Sequence, residues 1–397
     1  ARPHKQRPPH QRPCSPPELP EAHEAPPQSL SSGWAVRQDE SLSASTSVGN
    51  FELLETCAAD ATREVKHWHA HPPTLTLDEW NSFLDADGRV VDARAVKSRA
   101  FYSGLDNEAR RAAWPFLLGY FPWESTSADR QRIRDTKREE YFGYKAQWQN
   151  VTEAQARRYS KYRERKSRIK KDVVRTDGRL PFYSIVDGRR NLNVDLLRDI
   201  LMSYAFYNFD LGYCQGMSDL LSPILFVMRD EADAFWCFVG LMEVMESNFH
   251  RDQNGMHSQL LSLSKLVHML DPQLHCHLEK ADCLNFFFCY RWILIIFKRE
   301  FEYSKVTRLW DALWSQHLCP NFHLFVCVAV LQQHRNTIIS NHLELDAMLR
   351  FVNDLSRKID LDAALHDAEM LFRFAGEAGV ALLPPSAAGT DWNSGQN

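Results

Sequence analysis

Apolar residues recur every three or four positions through most of the chain between residues 75 and 375. From Met217 to Met228, for example, Leu220, Leu221 and Ile224 continue the spacing, which is typical of one face of an α-helix. No convincing pair of alternating strands and no repeat of fixed period interrupts this pattern. The sequence therefore predicts an all-α bundle of many helices. The same spacing predicts further helices over residues 197–204, 231–245, 256–270, 306–314, 322–331, 345–355 and 361–374.

Charged residues within apolar stretches bear on two of the assignments. In the stretch that ends at Trp314, Asp311 is expected on the side away from the core. The most apolar stretch, Phe286 to Phe297, has 12 residues with Arg291 in the middle. A membrane-spanning helix needs about 20 residues. A buried core helix is therefore the preferred interpretation, and no transmembrane segment is predicted.

The two ends of the chain have a different composition. Residues 1–50 are poor in apolar side chains, and nine of the 19 prolines lie in the first 27 positions. Such a segment cannot bury enough surface to offset its ordering entropy. We predict a disordered or loosely ordered segment over residues 1–74, with a proline-rich peptide ligand as the alternative. Gly, Ala and Pro from residue 376 predict a flexible tail over 376–397, which leaves one domain over 75–375.

Charge and composition exclude several classes of protein. With 47 basic and 51 acidic residues the net charge is −4, which does not favour nucleic acid as a partner. The nine cysteines include no CxxC pair, and reduced thiols of this kind are typical of cytosolic proteins. The first residues are rich in Pro, Arg and His, so no secretory signal peptide is predicted there. No phosphate-binding loop, HExxH, GxSxG or kinase motif is present, and the histidines at 67–71 lack companion ligands, so no metal site is predicted.

Residues 157–175 form the most basic part of the chain, with ten Arg or Lys among 19 residues. Tyr159, Tyr162, Ile169 and Val173 fall on one face of the predicted helix, and the charges occupy the remainder. A solvated basic face is the simplest interpretation. Nucleic acid and anionic lipid are the alternatives, although only two tyrosines could stack on bases.

Arg175 stands at the end of this basic helix. Asp172 precedes it by three residues and so shares its helix face, where it can orient the guanidinium. Asp177 and Gly178 predict the end of the helix, which leaves Arg175 near an exposed terminus.

Gln215 lies between two predicted helices, with a glycine on either side. Gly212 and Gly216 fit a tight turn that directs Tyr213 and Met217 inward and Gln215 outward. An Arg and a Gln presented from separate loops are the groups that GTP hydrolysis needs, to neutralise phosphate charge and to orient the attacking water. By spacing alone, an ordinary interhelical loop is the preferred interpretation.

The two segments together resemble a known signature. The pattern IxxDxxR at Ile169–Arg175, followed by YxQG at Tyr213–Gly216, is similar to the dual-finger motifs of TBC-domain GTPase-activating proteins for Rab GTPases. A charged insert around Glu139–Trp148 resembles a subgroup with a long charged insert before the arginine. Three further stretches agree with the family pattern: Arg110–Gly119, Gly216–Pro223 and Asp233–Phe238.

This resemblance implies an all-α TBC domain with two helical lobes. It also implies a mechanism for GTP hydrolysis. Arg175 would be an arginine finger and Gln215 a glutamine finger, both supplied in trans to a GTP-bound Rab. A TBC-fold module that binds a Rab without accelerating hydrolysis is the alternative. The remaining motif residues would support the fingers or contact the GTPase: Ile169, Asp172, Tyr213, Gly216, Asp219, Arg110 and Trp114.

The family also implies what the chain does not carry. GTP and Mg²⁺ would arrive with the Rab, so no cofactor of its own is expected. A cytoplasmic location with recruitment to endomembranes, and a role in vesicle trafficking, follow from the same resemblance. Two departures stand out: relatives tend to have Asn-Pro at the position of Asn191-Leu192, and Arg179 is a rival to Arg175.

Overall fold

The computed structural model describes residues 73–185, 188 and 190–385. In these residues the regular structure is helical, apart from two isolated β-bridges, Leu75 with Leu105 and Leu84 with Val90. The predicted all-α fold is confirmed. Most of the predicted N-terminal segment, the histidines at 67–71 and the end of the predicted tail lie outside the described residues.

The described residues contain 17 α-helices and two 3₁₀ turns, at Glu246–Phe249 and Phe287–Cys289. The α-helices are α1 (Leu77–Ser82), α2 (Ala93–Ser103), α3 (Asn107–Leu117), α4 (Ser127–Gln149), α5 (Glu153–Arg158), α6 (Ser160–Arg175), α7 (Leu192–Tyr207), α8 (Met217–Met228), α9 (Glu231–Met245), α10 (Asn254–Leu270), α11 (Pro272–Lys280), α12 (Tyr290–Leu294), α13 (Tyr303–Ser315), α14 (His323–Gln333), α15 (Arg335–Ser340), α16 (Leu345–Asp354) and α17 (Leu361–Val380).

Three strongly apolar helices, α8, α9 and α14, form the centre of the core, since most of their residues are buried. Helix α9 packs on α8 and α4, α14 packs on α10 and α17, and α6 packs on α7. The described residues all belong to one compact unit, so the two implied lobes are not separate units here. Among the described helices none is both long and apolar enough to cross a membrane.

Side-chain caps set several helix boundaries. Thr126 and Asp129 form a reciprocal capping box at the start of α4, which satisfies two otherwise unpaired backbone donors. Asn191 caps α7 by accepting a hydrogen bond from the backbone N–H of Asn193 at 2.8 Å. The departure from Asn-Pro therefore keeps a functioning N-cap, with Leu192 as the first helical residue.

The prediction of one core helix over Phe286–Phe297 is wrong, because the stretch is not a continuous helix. Only Tyr290–Leu294 is α-helical, because Phe286, Ile296 and Phe297 all adopt positive φ, at 52°, 46° and 55°. A left-handed residue ends a right-handed helix. The stretch is nevertheless largely buried, and Arg291 pairs with the buried Glu300 at 2.7 Å.

Three other sequence predictions need correction. The basic helix is interrupted at Tyr159, whose φ of −106° and ψ of 89° separate α5 from α6. Asp311, expected to face away from the core, is fully buried. At the other end, α17 is kinked at Gly376, where the tail was predicted to begin, and continues as helix to Val380.

Candidate functional site

Helix α6 positions Arg175 by burying the opposite side of its last two turns. Ile169 and Val173 are buried in the core, which fixes the rotation of the helix. The helix ends at Arg175, and the chain then turns through Asp177 with a φ of 49°. The last helical residue therefore carries a side chain that extends into solvent. We call residues 172–179 the Arg175 terminus.

Asp172 contacts both candidate segments, through an ion pair with Arg175 and a hydrogen bond from Tyr213. Nη2 of Arg175 lies 2.6 Å from Oδ1 of Asp172, and the Arg175 side chain is 56% exposed whereas that of Asp172 is 9% exposed. The hydroxyl of Tyr213 donates to Oδ2 of Asp172 at 2.6 Å. Burial, together with this bond, raises the pKa of Tyr213 well above 10, so the phenol remains a donor at neutral pH.

The turn that carries Gln215 depends on its two glycines. Gly212 has a φ of 69°, and a Cβ there would lie 2.3 Å from Cζ of Arg165, whose guanidinium donates to the carbonyls of Ala205 and Phe209. Gly216 has a φ of 106° and is the N-cap residue of α8. Only glycine adopts such a backbone conformation without strain. We call residues 212–216 the Gln215 loop.

The side chains of the Gln215 loop point as the sequence predicts. Tyr213 and Met217 are buried, and Gln215 is exposed. A further contact joins the loop's helix to the Arg175 terminus, because the hydroxyls of Thr176 and Ser218 are hydrogen-bonded at 2.9 Å. Two buried polar contacts thus fix the base of Arg175 relative to the base of Gln215.

Lys298 and Arg299 belong to the same site, and sequence reasoning missed both. Nζ of Lys298 donates to Oδ1 of Asp177 at 2.8 Å. Arg299 makes a bidentate pair with Asp219, with both N–O distances at 2.9 Å. The hydrogen bond to Asp219 raises the pKa of Arg299. Two basic residues directly after an apolar run were the available signal, but their carboxylate partners lie about 80 and 120 residues away along the chain.

A cavity of about 720 Å³ opens beside these residues. Five basic and three acidic side chains line it, so the lining has a basic surplus that suits an anionic group. Arg179 lines the cavity as well and is exposed, but the ion-pair partner of Asp172 is Arg175. The charged lining residues are Arg175, Arg179, Lys298, Arg299, Arg357, Asp177, Asp219 and Glu302.

A sequence model of the Rab-GTPase-TBC domain matches residues 107–339. The chain belongs to the Rab-GTPase-TBC domain family. Mouse TBC1 domain family member 17 is 43% identical over 301 residues, which cover 76% of this chain and 46% of that protein. The GTPase-activating protein gyp7 of Schizosaccharomyces pombe is 39% identical, over 75% of this chain and 42% of that protein. The chain thus spans less than half the length of these relatives.

Solved structures support the fold of this TBC domain. The Ypt/Rab-GAP domain of Gyp1p matches with a TM-score of 0.63 and 23% identity, over 77% of this chain and 97% of that one. The RabGAP TBC domain from Chlamydomonas flagella matches with a TM-score of 0.55 and 20% identity, over 73% and 88% of the two chains.

Arg110 and Trp114 are expected to support the fingers or contact the GTPase, but both lie in the buried core of the TBC domain. Arg110 pairs with Asp311 through Nη2 at 2.7 Å, and Nε1 of Trp114 donates to the same carboxylate at 2.8 Å. The backbone N–H of Leu105 donates to it at 3.0 Å. All three side chains are buried, so Arg110 and Trp114 cannot contact a partner protein and instead join α3 to α13.

Exposure separates the nine candidate residues of the TBC domain into two groups. Arg175 and Gln215 are exposed, and Asp172, Tyr213 and Asp219 are buried beneath them with hydrogen bonds that hold the two segments. The remaining four, Ile169, Gly216, Arg110 and Trp114, are buried. Within the described residues no group of three or more His, Cys, Asp or Glu side chains is arranged to hold a metal ion.

Proposed function

We propose that this TBC domain accelerates GTP hydrolysis by a Rab-family small GTPase, with Arg175 and Gln215 inserted in trans into the nucleotide site of the partner. The observation that carries the proposal is the carboxylate of Asp172, which holds Arg175 directly and the Gln215 loop through Tyr213. Two exposed polar side chains are thereby presented together from separate segments. The name of the gyp7 relative, a GTPase-activating protein, favours the same function.

Arg175 supplies positive charge to the phosphoryl group that is transferred. Its guanidinium lies at the end of a helix and is oriented by Asp172 before any partner binds. Preorganised charge costs little reorganisation at the moment of reaction. An arginine finger is worth about 10³–10⁵ in kcat. Lysine keeps the charge but lacks the planar fork, so it cannot contact Asp172 and a phosphate in the same way.

Gln215 orients the water that attacks the γ-phosphate. Its loop is held by the buried Tyr213 on one side and by Gly216 against the core on the other. A side chain amide can accept from the water and donate to a phosphate oxygen at once. A rigid loop holds the accepting oxygen and the donating nitrogen of this amide in fixed positions.

The partner brings GTP and Mg²⁺, and the chain supplies the two side chains. On this proposal the protein acts in the cytoplasm, is recruited to the endomembranes where its Rab resides, and regulates vesicle trafficking. Its own contribution is kinetic, since it shortens the lifetime of the GTP-bound Rab.

Phosphate release from a panel of GTP-loaded Rabs tests the proposal. We expect the wild-type protein to stimulate at least one member. Arg175→Ala should lower kcat by about 10³-fold or more while the domain remains folded. Arg175→Lys should recover little of this loss. Gln215→Ala should also reduce kcat, and Arg179→Ala, on the same cavity, is the control that should retain activity.

Three results would contradict parts of the proposal. Stimulation of no Rab, together with binding to one of them, would indicate a module that holds a GTPase without activating it. Full activity in Arg175→Ala would overturn the assignment of the arginine. Loss of activity in Arg179→Ala alone would move the finger to Arg179.

A further inference from the structure

A short segment between α12 and α13 contacts both candidate finger segments. We call residues 295–300 the strut. It contains the left-handed residues Ile296 and Phe297 and is buried except for the side chain of Arg299. Its first half packs in the core, and its second half carries Lys298, Arg299 and Glu300.

The strut holds the Arg175 terminus through Lys298. The Lys298 side chain is 5% exposed, and its ammonium group pairs with Asp177, two residues after Arg175. The other oxygen of Asp177 accepts a hydrogen bond from Ser222 of α8. Since Asp177 is the residue where the backbone leaves the helix with positive φ, this pair fixes the end of α6.

The strut contacts the end of the Gln215 loop and the first turn of α8, which follows it. Arg299 donates two parallel hydrogen bonds to Asp219. Asp219 lies four residues after Gln215, in the first turn of α8. Ile295 lies against Gly216, such that a Cβ on Gly216 would lie 3.1 Å from Cγ2 of Ile295. Both contacts lie on the C-terminal side of Gln215, where the loop joins α8. The strut therefore restrains that end of the loop.

The strut is itself anchored by other parts of the domain. Glu300 is fully buried and forms a bidentate pair with Arg291. The backbone N–H of Arg357 donates to the carbonyl of Glu300 at 2.7 Å, and the hydroxyl of Ser356 donates to the carbonyl of Arg299 at 2.7 Å. A segment fixed at this many points can set the distance between two loops that it contacts.

We infer that Lys298 and Arg299 are positioning residues, which set the spacing between Arg175 and Gln215 while contacting neither reacting group. The inference rests on the proposed function. Catalysis by oriented groups is sensitive to geometry, and a displacement of about 1 Å can cost about 10²-fold in rate. Loss of either ion pair should therefore reduce kcat although both fingers are still present.

A double-mutant cycle on Arg299 and Asp219 tests the inference. We expect Arg299→Gln to lower kcat about 10- to 100-fold and to change KM by less than about threefold. Asp219→Asn should have a similar effect, and the double variant should be no worse than either single variant, because the two side chains act as one pair. Unchanged kcat in Arg299→Gln, or additive losses in the double variant, would overturn the inference.

Arg134 and Asp233 provide a matched control pair. The Arg134 side chain is 37% exposed and that of Asp233 10% exposed, against 47% and 8% for Arg299 and Asp219. Asp233 lies in the first turn of α9 as Asp219 does in α8. Arg134→Gln should change the unfolding midpoint about as much as Arg299→Gln and leave kcat intact. Equal loss of kcat in both variants would overturn the positioning role.

Hydrogen–deuterium exchange of the free protein keeps this test separate from the proposed function. Arg299→Gln should increase exchange in residues 212–220, and Lys298→Met should increase it in residues 176–180, relative to Arg134→Gln. If the wild type stimulates no Rab, the proposed function fails while this measurement still reports on the strut. Exchange that is unchanged in both segments would overturn the inference.

Discussion

The hydroxyl of Tyr213 donates a hydrogen bond to Asp172 at 2.6 Å, which joins the Gln215 loop to the helix that carries Arg175. The other oxygen of Asp172 forms an ion pair with Nη2 of Arg175 at 2.6 Å. One carboxylate therefore restrains both exposed residues of the site. Its two bonds are charge-assisted, a class that is stronger than hydrogen bonds between neutral groups.

Tyr213→Phe removes one of these bonds and little else. We expect a loss of about 1–3 kcal/mol in the free energy of unfolding, because the donor to a buried carboxylate is lost. We also expect kcat to fall about tenfold, since the Gln215 loop is no longer tied to Asp172. Urea unfolding and single-turnover phosphate release measure the two effects.

Tyr141→Phe is the control for that prediction. Tyr141 is fully buried, and its hydroxyl donates to Glu231 at 2.6 Å, the same chemistry and length as at Tyr213. Its carboxylate partner lies on α9 instead of the Arg175 terminus. A similar loss of stability with normal kcat is expected, and equal kinetic effects of the two variants would contradict a specific role for Tyr213.

Much of the helical framework could be predicted from apolar spacing, because a helix that buries one face repeats its pattern every 3.6 residues. The range predicted over residues 231–245 agrees with α9, and the range over 256–270 falls within α10. The irregular stretch from Phe286 to Phe297 could not be predicted in the same way. The composition of the stretch indicates that it is buried. Its left-handed residues depend on tertiary packing, and the spacing of apolar residues does not reveal them.

The candidate site was predictable only in its local part. Asp172 and Arg175 are three positions apart on one helix, and the two glycines indicate the turn at Gln215. The pairs of Lys298 with Asp177 and Arg299 with Asp219 join segments far apart in sequence. A single sequence contains no periodic signal for such contacts, which is why the strut was missed.

Gly216→Ala should disable the Gln215 loop without unfolding the domain. The φ of 106° is unfavourable for alanine, and the new Cβ would approach Ile295 at 3.1 Å. Left-handed strain costs about 1–2 kcal/mol. We expect kcat to fall by at least tenfold and the unfolding midpoint to decrease slightly, as measured by phosphate release and thermal unfolding. Gly143→Ala, on α4 with no atom within 4 Å of its Cβ, is the control.

Substitution at Arg110 should affect stability and not specifically catalysis. Arg110 and Asp311 form a buried pair, and removal of one partner leaves an uncompensated charge in the core. Breaking such a pair costs about 3–5 kcal/mol. Arg110→Met should reduce the free energy of unfolding by that amount, while the folded fraction retains normal kcat at low temperature. A selective loss of Rab binding in a variant of wild-type stability would show that Arg110 contacts the partner after all.

His323, the first residue of α14, should make the stability of the domain dependent on pH. Burial lowers its pKa to about 4, and its Nε2 lies 2.5 Å from Oε1 of Gln259. The ordinary pKa of histidine, about 6.5, applies to the unfolded chain. Between these values the unfolded chain takes up a proton and the folded protein does not, so the contribution is intact above pH 6.5 and is lost as the pH falls towards 4.

Urea unfolding of the wild type and of His323→Gln at pH 7.5 and pH 5 measures this contribution. At pH 5 the wild type should lose about 1–2 kcal/mol more stability, relative to pH 7.5, than the variant does. Glutamine can still donate to Gln259 and does not titrate, so the comparison cancels the carboxylates that also respond to acid. Parallel losses in the two proteins would mean that His323 takes up its proton equally well in the folded state, contrary to the depressed pKa.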